Sequence, residues 1–315
     1  MRKVVLIAGF CVVGLWQLLF VNASAGDEWG LLVHQEDSLY HGIFVYKKGS
    51  VVTLRFSRQP AVQVQSQVDL SNLQDHRLEY TVMSFCGLLY KPQPRRMLVL
   101  GLGGGTIPRE MHHYFPALEI DVAEIDPQIR KIAAEFFGFT EDNRMRVNIA
   151  DGRMFIKQRL RKENAEKYDI VILDAFNSDY IPFHLMTKEF LDEVKSVLAE
   201  DGAVVANVFQ NNRLFDAELA TFIAVFGRCQ VFVGTYSTNA MLVSPGPNGK
   251  ILTVQEAVSQ ARILQRKVNF AFDMVTVASR LRPEIHPDPQ IKILTDDRAP
   301  VNWLREQKRK DVTAK

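Results

Sequence analysis

The chain has 315 residues, 47% of them hydrophobic and 23% charged, a globular composition with enough apolar residues for one large domain and a small appendage. A formal net charge of +2 excludes the basic footprint of a nucleic-acid binder, and the basic run at 305–310 reads as a solvated tail. Of the three cysteines only Cys86 and Cys229 lie beyond the first apolar stretch. Two are too few for a disulfide framework or a zinc site, and their apolar neighbours make them buried thiols.

Arg2 and Lys3 precede an apolar segment at 4–21, followed by Asn22-Ala23-Ser24-Ala25-Gly26 and the acidic pair Asp27-Glu28. This is a signal peptide or a membrane anchor, with Ala23-x-Ala25 as a small-residue cleavage site and the charge asymmetry setting an N-inside, C-outside orientation. Residues 1–26 therefore stand outside the fold. They predict a protein anchored to or exported across a membrane, and contact with the membrane through this segment alone. Residues 27–78 alternate apolar and polar, as in Gly42-Ile43-Phe44-Val45-Tyr46 and Val51-Val52-Thr53-Leu54-Arg55-Phe56. With Lys47-Lys48-Gly49-Ser50 as the turn, they predict a small antiparallel subdomain of β-strands. A helical segment at 79–90 opens the next domain, 79–250, and Lys91-Pro92-Gln93-Pro94 ends it.

From Arg96 the pattern changes to apolar strands at 97–100, 120–123, 147–149, 169–173 and 203–207, separated by helical spacing at 128–137, 152–160 and 187–198. Such alternation predicts right-handed βαβ units: a parallel sheet covered by helices on both faces, an α/β Rossmann-like fold. Two further strands, at 230–236 and 241–244, close the domain. Residues 251–315 read as a polar helix and a tail without a clear pattern.

The strongest local signal is Leu98-Val99-Leu100-Gly101-Leu102-Gly103-Gly104-Gly105-Thr106, a buried strand running into a glycine-rich turn and a helix. Glycines such as Gly101 and Gly103 let the backbone pass close to a nucleoside at a strand's carboxyl end; a tight turn is the alternative. Thr106 at the third glycine position disfavours a dinucleotide fingerprint. Glu124 and Asp126 close the second strand about 20 residues later, where an acid accepts bonds from ribose hydroxyls. Asp151-Gly152 closes the third strand and Asp174 the fourth. Any one acid could be a helix N-cap, but four successive strands ending in glycine or acid at one sheet edge mark a ligand site.

These runs, together with Arg109-Glu110, Glu124-Ile125-Asp126-Pro127 and Tyr168-Asp169 through Asp174, resemble the spermidine synthase (polyamine aminopropyltransferase) family, over roughly residues 29–236. The resemblance implies the S-adenosylmethionine-dependent methyltransferase type of sheet. It implies aminopropyl transfer from decarboxylated S-adenosylmethionine to a small-molecule polyamine such as putrescine, without a metal, in a family where homo-oligomers are common. It assigns Gln65, Gly101, Gly103, Glu124, Asp126, Asp151 and Gly152 to the nucleoside, Tyr80 to the acceptor side, and Asp174 to catalysis. A carboxylate there would orient the attacking amine and take its proton.

Two positions depart from the family. Gly104 stands where the family's glycine loop carries an aspartate that pairs with the free amine of the decarboxylated nucleoside. Asn177 stands where a second aspartate anchors the diamine, with Asp179 two residues on as a substitute contact. A loop without its aspartate, followed by a helix N-terminus, tolerates the carboxylate of intact S-adenosylmethionine, which opens a methyltransferase reading with that nucleoside as co-substrate. A third reading, motivated by the N-terminal segment, is a non-catalytic nucleoside- or polyamine-binding protein. His112-His113 read as surface or core residues rather than metal ligands. His184 lines the acceptor pocket or caps a helix, and Asp296-Asp297 form a turn or a lid element.

Overall fold

The computed structural model describes residues 28–59, 63–175 and 182–309. The N-terminal apolar segment lies outside the described residues, as do Asn177 and Asp179. Among the described residues no helix is long and apolar enough to cross a membrane.

The alternating N-terminal segment forms four strands, β1 (Leu31–Asp37), β2 (Gly42–Lys48), β3 (Val51–Arg55) and β4 (Ser66–Asp69), paired antiparallel in chain order. Lys48 pairs with Val51, so the expected β2–β3 hairpin turns through Gly49-Ser50. One face buries Ile43, Val45, Val52, Leu54 and Val68 against the main domain. The segment expected as one helix at 79–90 divides into α1 (Glu79–Met83) and a 3₁₀ turn, Ser84–Leu89. All six residues of that turn are buried, because it lies between the main sheet and the C-terminal helices with no face left for solvent.

The main sheet has seven strands: β5 (Arg96–Leu100), β6 (Glu119–Glu124), β7 (Met145–Ile149), β8 (Tyr168–Leu173), β9 (Leu198–Phe209), β10 (Gln230–Val233) and β11 (Asn239–Pro245). Their order is β10-β11-β9-β8-β5-β6-β7. The pairs from β7 across to β9 are parallel, whereas β11 runs antiparallel to both of its neighbours. Helices α2 (Thr106–Tyr114), α3 (Pro127–Phe136), α4 (Gly152–Leu160), α5 (Lys188–Val197) and α6 (Arg213–Phe226) cover it. Successive residues of β5 serve opposite faces. Met97 and Val99 pack with Ile107, Met111 and Ile129, while Leu98 and Leu100 pack with Phe155, Ile156, Phe190 and Leu191. Burial on both faces is why this strand is apolar throughout.

The polar helix expected after residue 250 is present, and beyond it short helices form where the sequence shows no pattern. A Thr253–Glu256 capping box starts α7 (Val254–Lys267), and Ala257, Ala261 and Leu264 lay one stripe of it into the first core. Asp273 caps α8 (Met274–Ala278). At the end, α9 (Val301–Arg305) puts Val301 and Leu304 into the core of the opposite face.

Candidate active site

From β5 the chain proceeds to β6 and β7 on one side, then returns to β8 and β9 on the other. The connections that leave the adjacent carboxyl ends of β5 and β8 therefore run to opposite sides, leaving the crevice in which open α/β sheets bind ligands. A cavity of about 470 Å³ occupies it, walled in part by the connections between strands of the first sheet and the segment that follows.

The glycine loop shapes its floor. Gly101 has φ +95°, and a Cβ there would stand 2.4 Å from the carbonyl oxygen of Asp174, so only glycine lets the ends of β5 and β8 meet. Gly103 lines the cavity beside it. The Glu124 carboxylate accepts the backbone N–H groups of Leu102 and Asp126, both at 2.9 Å, tying the end of β6 to the glycine loop while remaining in the cavity wall. Burial raises its pKa to about 6 against those bonds.

Asp126 does not line the cavity. Its carboxylate caps α3 by accepting Gln128 N–H at 2.9 Å, and its other oxygen lies 3.5 Å from His41 Nε2. His41 in turn stacks on Phe56 with ring centroids 3.9 Å apart, making an aromatic wall. Asp151 does both tasks: one oxygen caps α4 through Met154 N–H at 3.0 Å, and the other meets His184 Nε2 at 2.8 Å. That bond holds the carboxyl below its ordinary value. Gly152 follows in the wall.

Asp174 sits at the end of β8, where burial pushes its pKa from 3.8 to about 7 against one opposing bond, from Asn207 Nδ2 at 2.8 Å. Asn207 Oδ1 accepts Asn239 Nδ2 at 2.8 Å, so a chain of amides from β9 and β11 orients the carboxylate. Opposite, Tyr80 donates its hydroxyl to the backbone carbonyl of Gln65 at 3.0 Å, and both residues line the cavity. Burial raises the Tyr80 phenol, with the Asp174 charge adding to it.

The cavity thus gathers Gln65, Tyr80, Gly101, Gly103, Glu124, Asp151, Gly152, Asp174 and His184. Sequence reasoning missed Asn207, although it closes the apolar run 203–207 at the same edge, and it missed Asn239, Glu79 and His41. His112 pairs with Asp142 and His113 packs on Tyr114, so the two histidines part. Asp296 lies outside the cavity: it accepts both terminal nitrogens of Arg153 at 2.8 Å and the Thr187 hydroxyl at 2.7 Å, binding the C-terminal turn to α4 and α5. Among the described residues no group of three or more His, Cys, Asp or Glu side chains could hold a metal ion.

A seven-stranded sheet with β11 reversed, a glycine loop at the switch point and acids on successive strand ends define a Rossmann-like transferase of the S-adenosylmethionine-dependent methyltransferase type. Residues 78–254 match the spermine/spermidine synthase domain. The chain is 37% identical to a polyamine aminopropyltransferase of Vibrio vulnificus over 280 residues, covering 87% of this chain and 91% of the relative. The chain belongs to the spermine/spermidine synthase family and is a transferase.

A second group of relatives is the eEF1A lysine and N-terminal methyltransferases. The mouse protein is 34% identical over 55% of this chain, which spans only 26% of that protein. The crystal structure of human methyltransferase-like protein 13 in complex with SAH superposes with a TM-score of 0.56 at 28% identity, covering 68% of this chain and 97% of that one. The spermidine synthase of Thermotoga maritima has a TM-score of 0.61 at 18% identity, covering 80% of this chain and 84% of that one; at that identity the likeness shows the fold.

Proposed function

We propose that the protein transfers the aminopropyl group of decarboxylated S-adenosylmethionine to a polyamine such as putrescine, giving spermidine and methylthioadenosine. The observation that carries this reading is the place of Asp174: a partly buried carboxylate facing the cavity beside the glycine loop, aligned by Asn207 and pushed up to about 7 by desolvation. An alkylamine holds its proton with a pKa of about 10 in water, so attack needs a base beside the nitrogen. In the proposed step the nitrogen lone pair attacks the aminopropyl carbon next to the sulfonium. The C–S bond breaks with its electrons to sulfur, leaving a neutral thioether, and the amine proton passes to Asp174. Gln65, Gly101, Gly103, Glu124, Asp151 and Gly152 hold the nucleoside in this reading, with Tyr80, Asn177 and Asp179 on the acceptor side. Asp126 acts indirectly, through the α3 cap and His41. The Vibrio relative supports the reaction type by its name.

A second reading, methyl transfer from intact S-adenosylmethionine, is favoured by Gly104. A Cβ at this position would meet Phe137 Cδ1 at 2.6 Å and Ser66 Cβ at 3.0 Å, and the Gly104 N–H already donates to Ser66 Oγ at 2.8 Å. An aspartate has no room there, so the amine of the decarboxylated form lacks the partner that the family resemblance supplies.

Calorimetric titration with the two nucleosides, followed by product analysis with putrescine, separates the readings. Tighter binding of the decarboxylated form with release of methylthioadenosine is the expected result. Preference for the intact form without that release would refute aminopropyl transfer and leave the methyltransferase reading.

A further inference from the structure

The sheet order divides the cavity. Glu124 and Asp151 stand at the ends of β6 and β7 on one side of the glycine loop, whereas Asp174, Asn207 and Asn239 stand on the other, on β8, β9 and β11. The wall on this second side includes the loop 234–239 between β10 and β11, which contributes Tyr236 and Ser237. Tyr236 is 91% exposed, so packing of its side chain does not hold the loop in place.

What holds it is a carboxylate from a distant part of the chain. Glu79, the first residue of α1, accepts the backbone N–H groups of Thr235 at 2.8 Å, Tyr236 at 2.9 Å and Ser237 at 2.8 Å, and the Ser237 hydroxyl at 2.9 Å. Three consecutive backbone donors converging on one group form an anion nest, here occupied by a side chain of the same protein. Arg280 pairs with Glu79 from outside, and its carbonyl accepts Val233 N–H at 3.0 Å, anchoring the end of β10. At the other end of the loop, Gly234 N–H donates to the Asn239 carbonyl at 2.9 Å, and the Asn239 side chain begins the amide chain to Asp174. Glu79 also immediately precedes Tyr80, so the residue that fixes the loop is rigidly connected to one that faces Asp174 across the cavity.

We infer that Glu79 is a positioning residue: its carboxylate fixes the loop 234–239 as the acceptor-side wall and, through Asn239 and Asn207, holds Asp174 in register with the incoming amine. Its carboxylate is committed to the loop and to Arg280. An amide in place of the carboxylate offers one acceptor oxygen, uncharged, to three backbone donors and a hydroxyl, and it leaves Arg280 without its anionic partner. The site then loosens on the acceptor side only.

The inference takes the identity of the acceptor side from the proposed function, and the test keeps the two apart. Glu79→Gln retains the size of the side chain and removes the charge. In this variant amide hydrogen exchange at 235–237 should accelerate about ten-fold or more, the loss of one charge-assisted bond being about a factor of ten. The acceptor KM should rise by about the same factor. The nucleoside dissociation constant should stay within about two-fold, since no donor-side residue bonds to Glu79. Ser237→Ala, which removes one of the four bonds, should move the same quantities in the same direction by less, and it serves if Glu79→Gln does not fold. Unchanged exchange at 235–237 would overturn the inference. So would faster exchange with an unchanged acceptor KM, or an equal loss of nucleoside binding. If the wild-type protein alkylates no polyamine with either nucleoside, the proposed function falls. Exchange at 235–237 and at Asn207 and Asn239 then decides the role of Glu79: acceleration at all of these sites supports it, and acceleration at none refutes it.

Discussion

Asn207→Leu tests the chemistry at Asp174 most directly. The substitution keeps the approximate shape of the side chain and removes the donor that Asp174 accepts at 2.8 Å. A hydrogen bond to a charged group is worth about 1.5–3 kcal/mol, and one pKa unit is about 1.4 kcal/mol. The lower end of that range moves Asp174 from about 7 to about 8. The direction follows from the cause: burial raises the carboxyl, the amide opposes it, and without the amide burial acts alone. At pH 7 the ionised fraction then falls from about one half to about one tenth, and kcat/KM of the free enzyme falls about five-fold, recovering above about pH 9. The measurement is the pH dependence of kcat/KM for wild type and variant, with either nucleoside as donor. An acid limb that stays in place, or a loss equal at every pH, would refute Asp174 as the titrating base.

Asp174→Asn should abolish turnover while sparing nucleoside binding, as rapid-quench and calorimetric assays would show; unchanged turnover removes Asp174 from catalysis. The same variant should be the more stable protein above neutrality. The folded pKa exceeds the unfolded one, so the stabilising contribution of protonated Asp174 is present below about pH 4 and is lost as pH rises through about 7. Thermal melts should show a gain of about 5 °C at pH 8 and none at pH 4. Gly104→Asp should lower stability by about 1–3 kcal/mol by crowding Phe137 and Ser66. Phe137→Ala should offset part of that loss in a double-mutant cycle, and an additive result would refute the steric account. A fusion of the full chain to alkaline phosphatase tests the proposal that residues 1–26 direct it to or across a membrane. An active periplasmic reporter would support export of the domain, and an inactive one would refute it.

Much of the cavity on the β5–β7 side was legible in the sequence because its determinants are local. The strand–glycine–helix run at 98–106 and the acids closing β6, β7 and β8 occur at the chain positions where parallel strands must end, and the common edge follows from βαβ handedness. The roles of individual acids were not legible. Asp126 and Asp151 both follow a strand and both cap a helix, yet only Asp151 keeps an oxygen in the cavity wall, where it meets His184. The C-terminal tail was opaque for a related reason: α8 and α9 are five residues each, too short for a periodic stripe, and tertiary packing stabilises them.

Composition, period and turn residues by themselves determined the α/β class, the N-terminal hairpin and the strand edge that carries the cavity, all properties of neighbouring residues. Only the tertiary structure decided what closes that site. Glu79 meets Thr235 across 156 positions and Asn207 meets Asp174 across 33, contacts that leave no periodic trace because each depends on where two separate elements come to rest in the folded sheet.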